Sequence, residues 1–300
     1  MSSTISGINE AQVDARIIPA LRSILPLLSM FSHVIEEEDR ITSDTVQVPV
    51  AVDPTIGNKT AGTFVAAAGE LAGATVTYNR FRGGGWDAVE GTMRASLLAN
   101  YWLDKAEGAV YGAAKDIVDY VLALITAANF GNTDADKLIV APADFGQLDA
   151  AQLWGKAKKK IKRQKQVFIM NTDFATALFG DSSMALINAT SGKSLESAAL
   201  PNFLDMNQVH YSDFPTNSQN LGGAVIGSGA LAVALAKPSM FIKSGDGDCD
   251  ERRVITDPDS GISCMYTVKT SAGGTKSGEV TVLYGVATTG LGAVVRLVTA

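Results

Sequence analysis

Histidine and cysteine are nearly absent: His33, His210, Cys249 and Cys264 are all that 300 residues supply. Two cysteines cannot make a disulfide framework, so folding in a reducing compartment is expected. Aromatic residues make up only 7% of the chain, beside 29 glycines. The core must therefore be built from small aliphatic side chains in thin layers, which suits sheets and slender helices better than a deep substrate pocket. Long apolar runs are missing too. The most apolar stretch, Leu221–Ala236, is interrupted by Gly222, Gly223, Gly227 and Gly229, and falls short of the roughly 18–20 residues that cross a bilayer. It reads as buried strands, with no membrane as partner. Met1–Gln12 has no basic region followed by an apolar one, so no secretory signal is expected, and the sequons at Asn58 and Asn188 then carry no weight. The net charge of -6 offers no global attraction to nucleic acid or an anionic membrane, so any such attraction must come from a local patch.

What is present is 46% hydrophobic residues, enough for one large or two medium domains. Ile17, Ile18, Leu21, Ile24, Leu25, Leu28 and Phe31 approach helical spacing, and Pro19 and Pro26 predict a broken helical arm. The acidic run Glu36, Glu37, Glu38 and Asp39 follows. Thr45–Val52 alternates as a half-buried strand, with Pro49 placing it on an edge. Thr75–Arg82 alternates as well, and the two runs are expected to pair as an antiparallel ribbon. Between them, 53–73 is far longer than a hairpin loop of about 2–5 residues and has little apolar side-chain mass to order itself, so either it is flexible or it lies on a neighbouring subunit. Gly83, Gly84 and Gly85 are expected to form a hinge.

From Leu103, apolar or small residues recur at spacings of three and four through Ala128, predicting a long helix over Asp104–Asn129 of about 39 Å. Beyond Asp136 an α/β alternation is expected. Its strands are Leu138–Ala141, Val167–Met170, Val209–Tyr211, Ala224–Ile226, Ala230–Ala236 and Met240–Lys243, with helices over Pro142–Lys165 and Phe174–Gly180. Ser263–Thr270, Glu279–Val286 and Val294–Val298 read as a closing antiparallel unit.

Chemistry-bearing patterns are few. Lys156, Lys158, Lys159, Lys160, Lys162, Arg163 and Lys165 form the one dense charge cluster, either a solvated helix face or a surface for DNA phosphates. Trp154, Ala157 and Ile161 give that helix a buried stripe and turn most of the lysines outward. Asp246, Asp248 and Asp250 resemble the start of a calcium loop, but Glu251 stands where glycine is needed and Asp257 where glutamate is, so an exposed acidic turn is the better reading. His210 lies near Ser212 and Asp213 without a nucleophile elbow, and Ser191–Ser194 lacks the glycine of a phosphate-binding loop. No catalytic residue, metal site or cofactor is expected.

Three stretches carry a family resemblance: GWDAVEGTMRASLLANYWLDKAEGAVYGAAKDIVDYVLALIT, VHYSDFPTNSQNLGGAVIGSGALAVALAKP and SGISCMYTVKTSAGGTKSGEVTVLYGVATTGLGAVVRL. They resemble the approach to the spine helix, the axial-domain strands and the closing sheet of tailed-phage major capsid proteins of the Hong Kong 97 type. The resemblance spans nearly the whole chain, although no single motif in it is diagnostic. It implies an α+β fold with 1–40 as N-arm, 41–88 as E-loop, 89–137 with 246–300 as peripheral domain, and 138–245 as axial domain. It further implies a non-enzymatic virion protein, assembled in a bacterial cytoplasm, whose hexamers and pentamers close into an icosahedral shell around double-stranded DNA. The implied partners are other copies of itself, a portal, a decoration protein and a scaffolding protein, the last expected as a separate chain because no long scaffold-like N-terminal region is present. Arg80 and Arg82 are expected to pair with Glu36, Glu37, Glu38 or Asp39 of a neighbour. The alternatives are an encapsulin-like compartment shell and, from a different class, a hydrolase.

Overall fold

The computed structural model describes residues 10–36, 45–51, 59–60, 63–64, 71–89, 95–161, 165–181, 206–236, 249–258, 262–271, 274–290 and 292–300. In chain order the elements are α1 (Glu10–Phe31), β1 (Ser32–Glu36), β2 (Thr45–Ala51), β3 (Lys59–Thr60), β4 (Thr63–Phe64), β5 (Leu71–Thr77), β6 (Arg80–Val89), α2 (Ala95–Ala123), α3 (Ala127–Phe130), β7 (Lys137–Ile139), α4 (Gln147–Lys160), β8 (Gln166–Met170), α5 (Thr172–Gly180), β9 (Asn207–His210), β10 (Leu221–Gly227), β11 (Leu231–Ala236), β12 (Glu251–Thr256), β13 (Ser263–Thr270), β14 (Thr275–Thr288) and β15 (Val294–Val298). Two sheets organise them. One runs β1-β11-β14-β13-β12, with β6 also on β14; the other runs β7-β15-β10-β8-β9.

The first sheet carries α2 on one face. α2 is 29 residues long, about 43 Å at helical rise, and it buries Leu98, Trp102, Ala106, Val110, Ala113, Ile117 and Val121. Contact is close because side chains are missing at two points. A Cβ at Gly84 of β6 would sit 2.9 Å from the Cβ of Ala109, and one at Gly278 of β14 would meet the rings of Trp86 and Trp102 at 2.4–2.6 Å. Trp86 and Trp102 pack edge to face at 5.3 Å. The indole of Trp102 donates to Tyr266 Oη at 2.7 Å, so its one polar atom is satisfied inside the core. Gly83, Gly84 and Gly85, expected as a hinge, are placed inside β6 and paired with Thr281, Val280 and Glu279. At Gly84 the missing side chain serves helix–sheet contact rather than freedom to bend.

α1 departs from the broken arm its two prolines predict: it is continuous over Glu10–Phe31. It buries Val13, Ile17, Leu21 and Leu28, and at about 1.5–3 kcal/mol for each large aliphatic residue this offsets the roughly 3 kcal/mol that an interior proline costs. Ion pairs tie it down: Asp14 to Arg253 at 3.0 Å, Arg22 to the fully buried Asp257 at 2.6 Å, and Arg16 to Glu107 of α2 at 3.0 Å. β1 then joins β11 in parallel.

The ribbon expected from alternation is present, with β2 against β5 from Thr45↔Thr77 to Ala51↔Leu71. Pro49 lies in this two-stranded sheet, where each strand has a free edge. The second run is not continuous, however. It breaks at Tyr78 and Asn79, and Arg80 onward belongs to β6. The ribbon's base packs Val48, Ala74, Val76 and Tyr78 onto Ala232, Ala234 and Leu283 of the first sheet.

Two strands sit in the opposite sheet from the one expected. Val294–Val298 lies between β7 and β10 in the α/β sheet, and β11 lies in the first sheet beside β14. Every residue of β10 and β11 is buried, so no alternation distinguishes which sheet each joins. β12 occupies the C-terminal half of the stretch expected as an acidic turn. The expected strand Met240–Lys243 lies outside the described residues. No helix among the described residues is long and apolar enough to cross a membrane.

Two glycine substitutions should separate contact from backbone preference. Gly278→Val drives atoms into Trp86 and Trp102 and should cost about 1–3 kcal/mol. Gly108→Ala in α2 meets nothing within 4 Å and should stabilise by about 0.5–1 kcal/mol. Urea denaturation of both variants measures the two effects, which have opposite signs.

Candidate functional site

The described residues with catalytic potential do not converge. His210 Nε2 is 3.0 Å from Thr172 Oγ1 at the start of α5, while Asp213 faces Lys115 at 3.2 Å. Cys264 is fully buried, and burial raises its thiol pKa to about 12, which leaves it without a nucleophilic thiolate at neutral pH. Asp250 accepts from Thr270 Oγ1 at one end of β12, and Asp257 holds Arg22 at the other. The two ends of the calcium-loop pattern are thus kept apart by a strand. Among the described residues no group of three or more His, Cys, Asp or Glu is placed to hold a metal. The side chain of His33, with Asp246, Asp248 and Ser191–Ser194, lies outside the described residues.

Polar chemistry concentrates instead on one turn of α2, which faces the first sheet on one flank and the segment between β9 and β10 on the other. Toward the first sheet, Asp116 Oδ2 accepts from Tyr284 Oη at 2.6 Å and lies 3.8 Å from Arg82. Arg80 stacks over the Tyr120 ring at 3.7 Å. On the other flank, Asp119 accepts from Tyr211 Oη at 2.6 Å and from Lys115 at 2.7 Å. Burial, then the bond to the adjacent carboxylate, raises both tyrosine pKa values, so each hydroxyl stays a donor. Arg80 and Arg82, expected to meet a neighbour's Glu36–Asp39, therefore have partners within the chain. Glu37, Glu38 and Asp39 lie outside the described residues, as does the side chain of Glu36.

A second node lies at the end of α3. Arg296 of β15 is buried, donates to Gln219 Oε1 at 2.8 Å, Gly131 O at 2.7 Å and Asn132 Oδ1 at 3.0 Å, and has its pKa lowered by that burial. Beside it, Lys160 pairs with Asp136 at 2.6 Å and donates to Phe130 O at 2.8 Å.

The lysine cluster is thereby divided. Lys160 is used in that node and Lys156 donates to Lys137 O at 2.8 Å. Lys158, whose ammonium lies 5.8 Å from the Trp154 ring, Lys159 and Lys165 are exposed, and Lys162 and Arg163 lie outside the described residues. Ala157 and Ile161 are buried as the stripe predicts. Among the described residues, a groove of about 600 Å³ runs between α1 and α2 past Pro19, Gly108 and Tyr111, and Phe81, Leu97, Leu148 and Phe179 are large apolar side chains at 40–79% exposure. Such exposure is ordinary for single residues.

No protein-family model matches the sequence, and no curated protein matches it. Solved structures do. The chain is similar to the capsid structure of the cyanophage P-SCSP1u at 12% identity, covering 90% of this chain and 86% of that one with a TM-score of 0.58. It is similar to the acidic stable capsid structure of Helicobacter pylori bacteriophage KHP30 at 13% identity, with 89% and 87% covered and a TM-score of 0.55. It is also similar to a virus-like particle from Pyrococcus furiosus at 11% identity, with 96% and 98% covered and a TM-score of 0.53.

Asp136 supplies a pH test. Hydrogen bonds from Lys160 and then from Thr133 hold its carboxyl at about 2, below its ordinary 3.8. Because the folded value is depressed, the stabilisation is complete above the ordinary value and is lost as pH falls toward 2. Asp136→Asn should be less stable than the wild type at pH 6. It should also show a shallower fall in stability from pH 4 to pH 2, measured by urea titration at each pH.

Proposed function

From a chain that has the Hong Kong 97-type capsid fold, we propose a shell-forming subunit, the major capsid protein of a tailed phage or prophage. Its activity on this reading is assembly, without turnover of a substrate. Copies associate as hexamers and pentamers and close into an icosahedral shell around double-stranded DNA. The observation that carries this is the extent of the likeness to phage capsids: about nine-tenths of this chain and nearly as much of theirs are covered, at TM-scores of 0.55 and 0.58.

The physical logic runs the same way. A two-stranded ribbon is marginal alone, and the described contacts that hold it to the first sheet are at its base, so further contact with a neighbour would stabilise it. Several modest interfaces, each too weak to trap an error, together drive closure. The exposed Lys158, Lys159 and Lys165 are the part of the basic cluster assigned to packaged DNA, through phosphate contacts that carry no sequence information. The partition into N-arm, E-loop, peripheral and axial domains is retained, with β15 assigned to the axial sheet and β11 to the peripheral one. A separate scaffolding protein, a portal and a decoration protein are the partners proposed.

A compartment shell that holds protein cargo is the second reading, favoured by the likeness to the Pyrococcus furiosus particle across nearly the full length of both chains. One preparation separates the two. Particles purified from cells expressing the chain with its neighbouring genes are imaged by negative stain and their contents analysed. Uniform shells with nuclease-protected DNA are expected. Shells filled with a single co-purifying protein and no DNA would favour the compartment, and a chain that yields no particles in any such preparation would count against both.

A further inference from the structure

Backbone outliers concentrate at one place in the described chain. Asn217, Ser218 and Asn220 have φ of 51°, 55° and 53°, and no other described non-glycine residue has positive φ. Asparagine tolerates this region, but serine has no such preference, and such conformations persist only where surrounding contacts over-determine them. Those contacts reach three elements. Asn217 Nδ2 donates to Leu122 O at 3.0 Å and Ile125 O at 2.8 Å, capping the end of α2. Gln219 Oε1 accepts from Ala127 N, the first amide of α3, at 2.9 Å and from Arg296 of β15 at 2.8 Å. Asn220 O accepts from Thr299 N at 2.8 Å, just past β15. The chain then enters β10, the neighbour of β15.

We propose that the Asn217–Asn220 turn is a coupling pin that makes the C-terminal end of α2 and the five-stranded sheet one mechanical unit, so that a displacement of the helix is passed to the sheet and not absorbed between them. A plain helix cap needs only the Asn217 bonds. The left-handed backbone does more: it points one side chain at the carbonyls where α2 ends and the next but one at α3 and β15. The buried Arg296 links that second contact to Gly131 and Asn132, which closes a ring from α2 through the turn and β15 back to the end of α3. The inference rests on the fold alone and is independent of the shell reading.

Hydrogen exchange by mass spectrometry on the full-length chain tests it, with two variants. Asn217→Gly keeps a residue to which left-handed backbone is open and removes only the two donors. Gln219→Met is close in size and cuts the other arm. Each variant is expected to lower protection roughly three- to tenfold, the scale of losing one capping contact. The loss should appear both in peptides covering 119–130 and in those covering 221–227 and 294–298, with 251–256 and 263–270 unchanged. Loss confined to 119–130 in Asn217→Gly reduces the turn to a cap and overturns the proposal. So does loss confined to the strands in Gln219→Met, a uniform loss along the chain, or no loss in either variant.

Discussion

The contact between α2 and the first sheet is the constraint on which the remaining structure depends. A helix of 29 residues cannot bury a stripe this long by itself, and the face it meets has been emptied at Gly84 and Gly278 so that Trp86, Trp102 and Tyr266 can fill the interface. α1 then covers another flank of the same helix, and its ion pairs reach β12 and α2 at once. The polar turn of α2 carries Asp116 toward the first sheet and Asp119 toward the segment entering the second. Displacing the helix would disturb its contacts with the first sheet and with that segment.

This arrangement bears on function through what it leaves unused. Tyr211 and Tyr284 donate to carboxylates of α2, Arg296 is held by groups at the end of α3, and Asp136 is held by Lys160 and Thr133; burial and these bonds account for the shifted pKa values of Asp136, Tyr211 and Tyr284. Perturbed groups in a cleft are the usual mark of catalysis, but ion-pair networks shift pKa values as well, and here the shifted groups lie in such a network. Among the described residues, the ribbon packs at its base on the first sheet, a groove runs beside α2, and a few large apolar side chains are singly exposed.

Local pattern is legible in the sequence and long-range pairing is not. Ser263–Thr270 and Val294–Val298 are strands with the expected bounds, because largely apolar runs stand between turn residues. Which sheet Val294–Val298 joins depends on its pairing with β10 and β7, for which a strand so largely apolar carries no signal. The arm is expected to break at Pro19 and Pro26 when proline cost is weighed without the burial available to Val13, Ile17, Leu21 and Leu28. Asp116–Tyr284 and Asp119–Tyr211 join residues 168 and 92 positions apart. The one trace they leave is a pair of aspartates on either side of the buried Ile117 and Val118, a spacing that exposes each to a different neighbour. Arg296 stands in the sequence as part of an apolar terminal stretch. A lone arginine inside an otherwise apolar strand is itself a sign of a buried polar hub, since such a charge is kept only where hydrogen bonds satisfy it.

The proposed activity is association, not turnover, and its concentration dependence is the most direct measure. Closed shells built from many weak contacts form above a threshold concentration. Light scattering of the purified chain, titrated upward with and without its scaffold, is predicted to stay at the subunit level and then rise abruptly to one particle size. Scattering that remains at the subunit level throughout, or grows smoothly without a preferred size, would contradict the account.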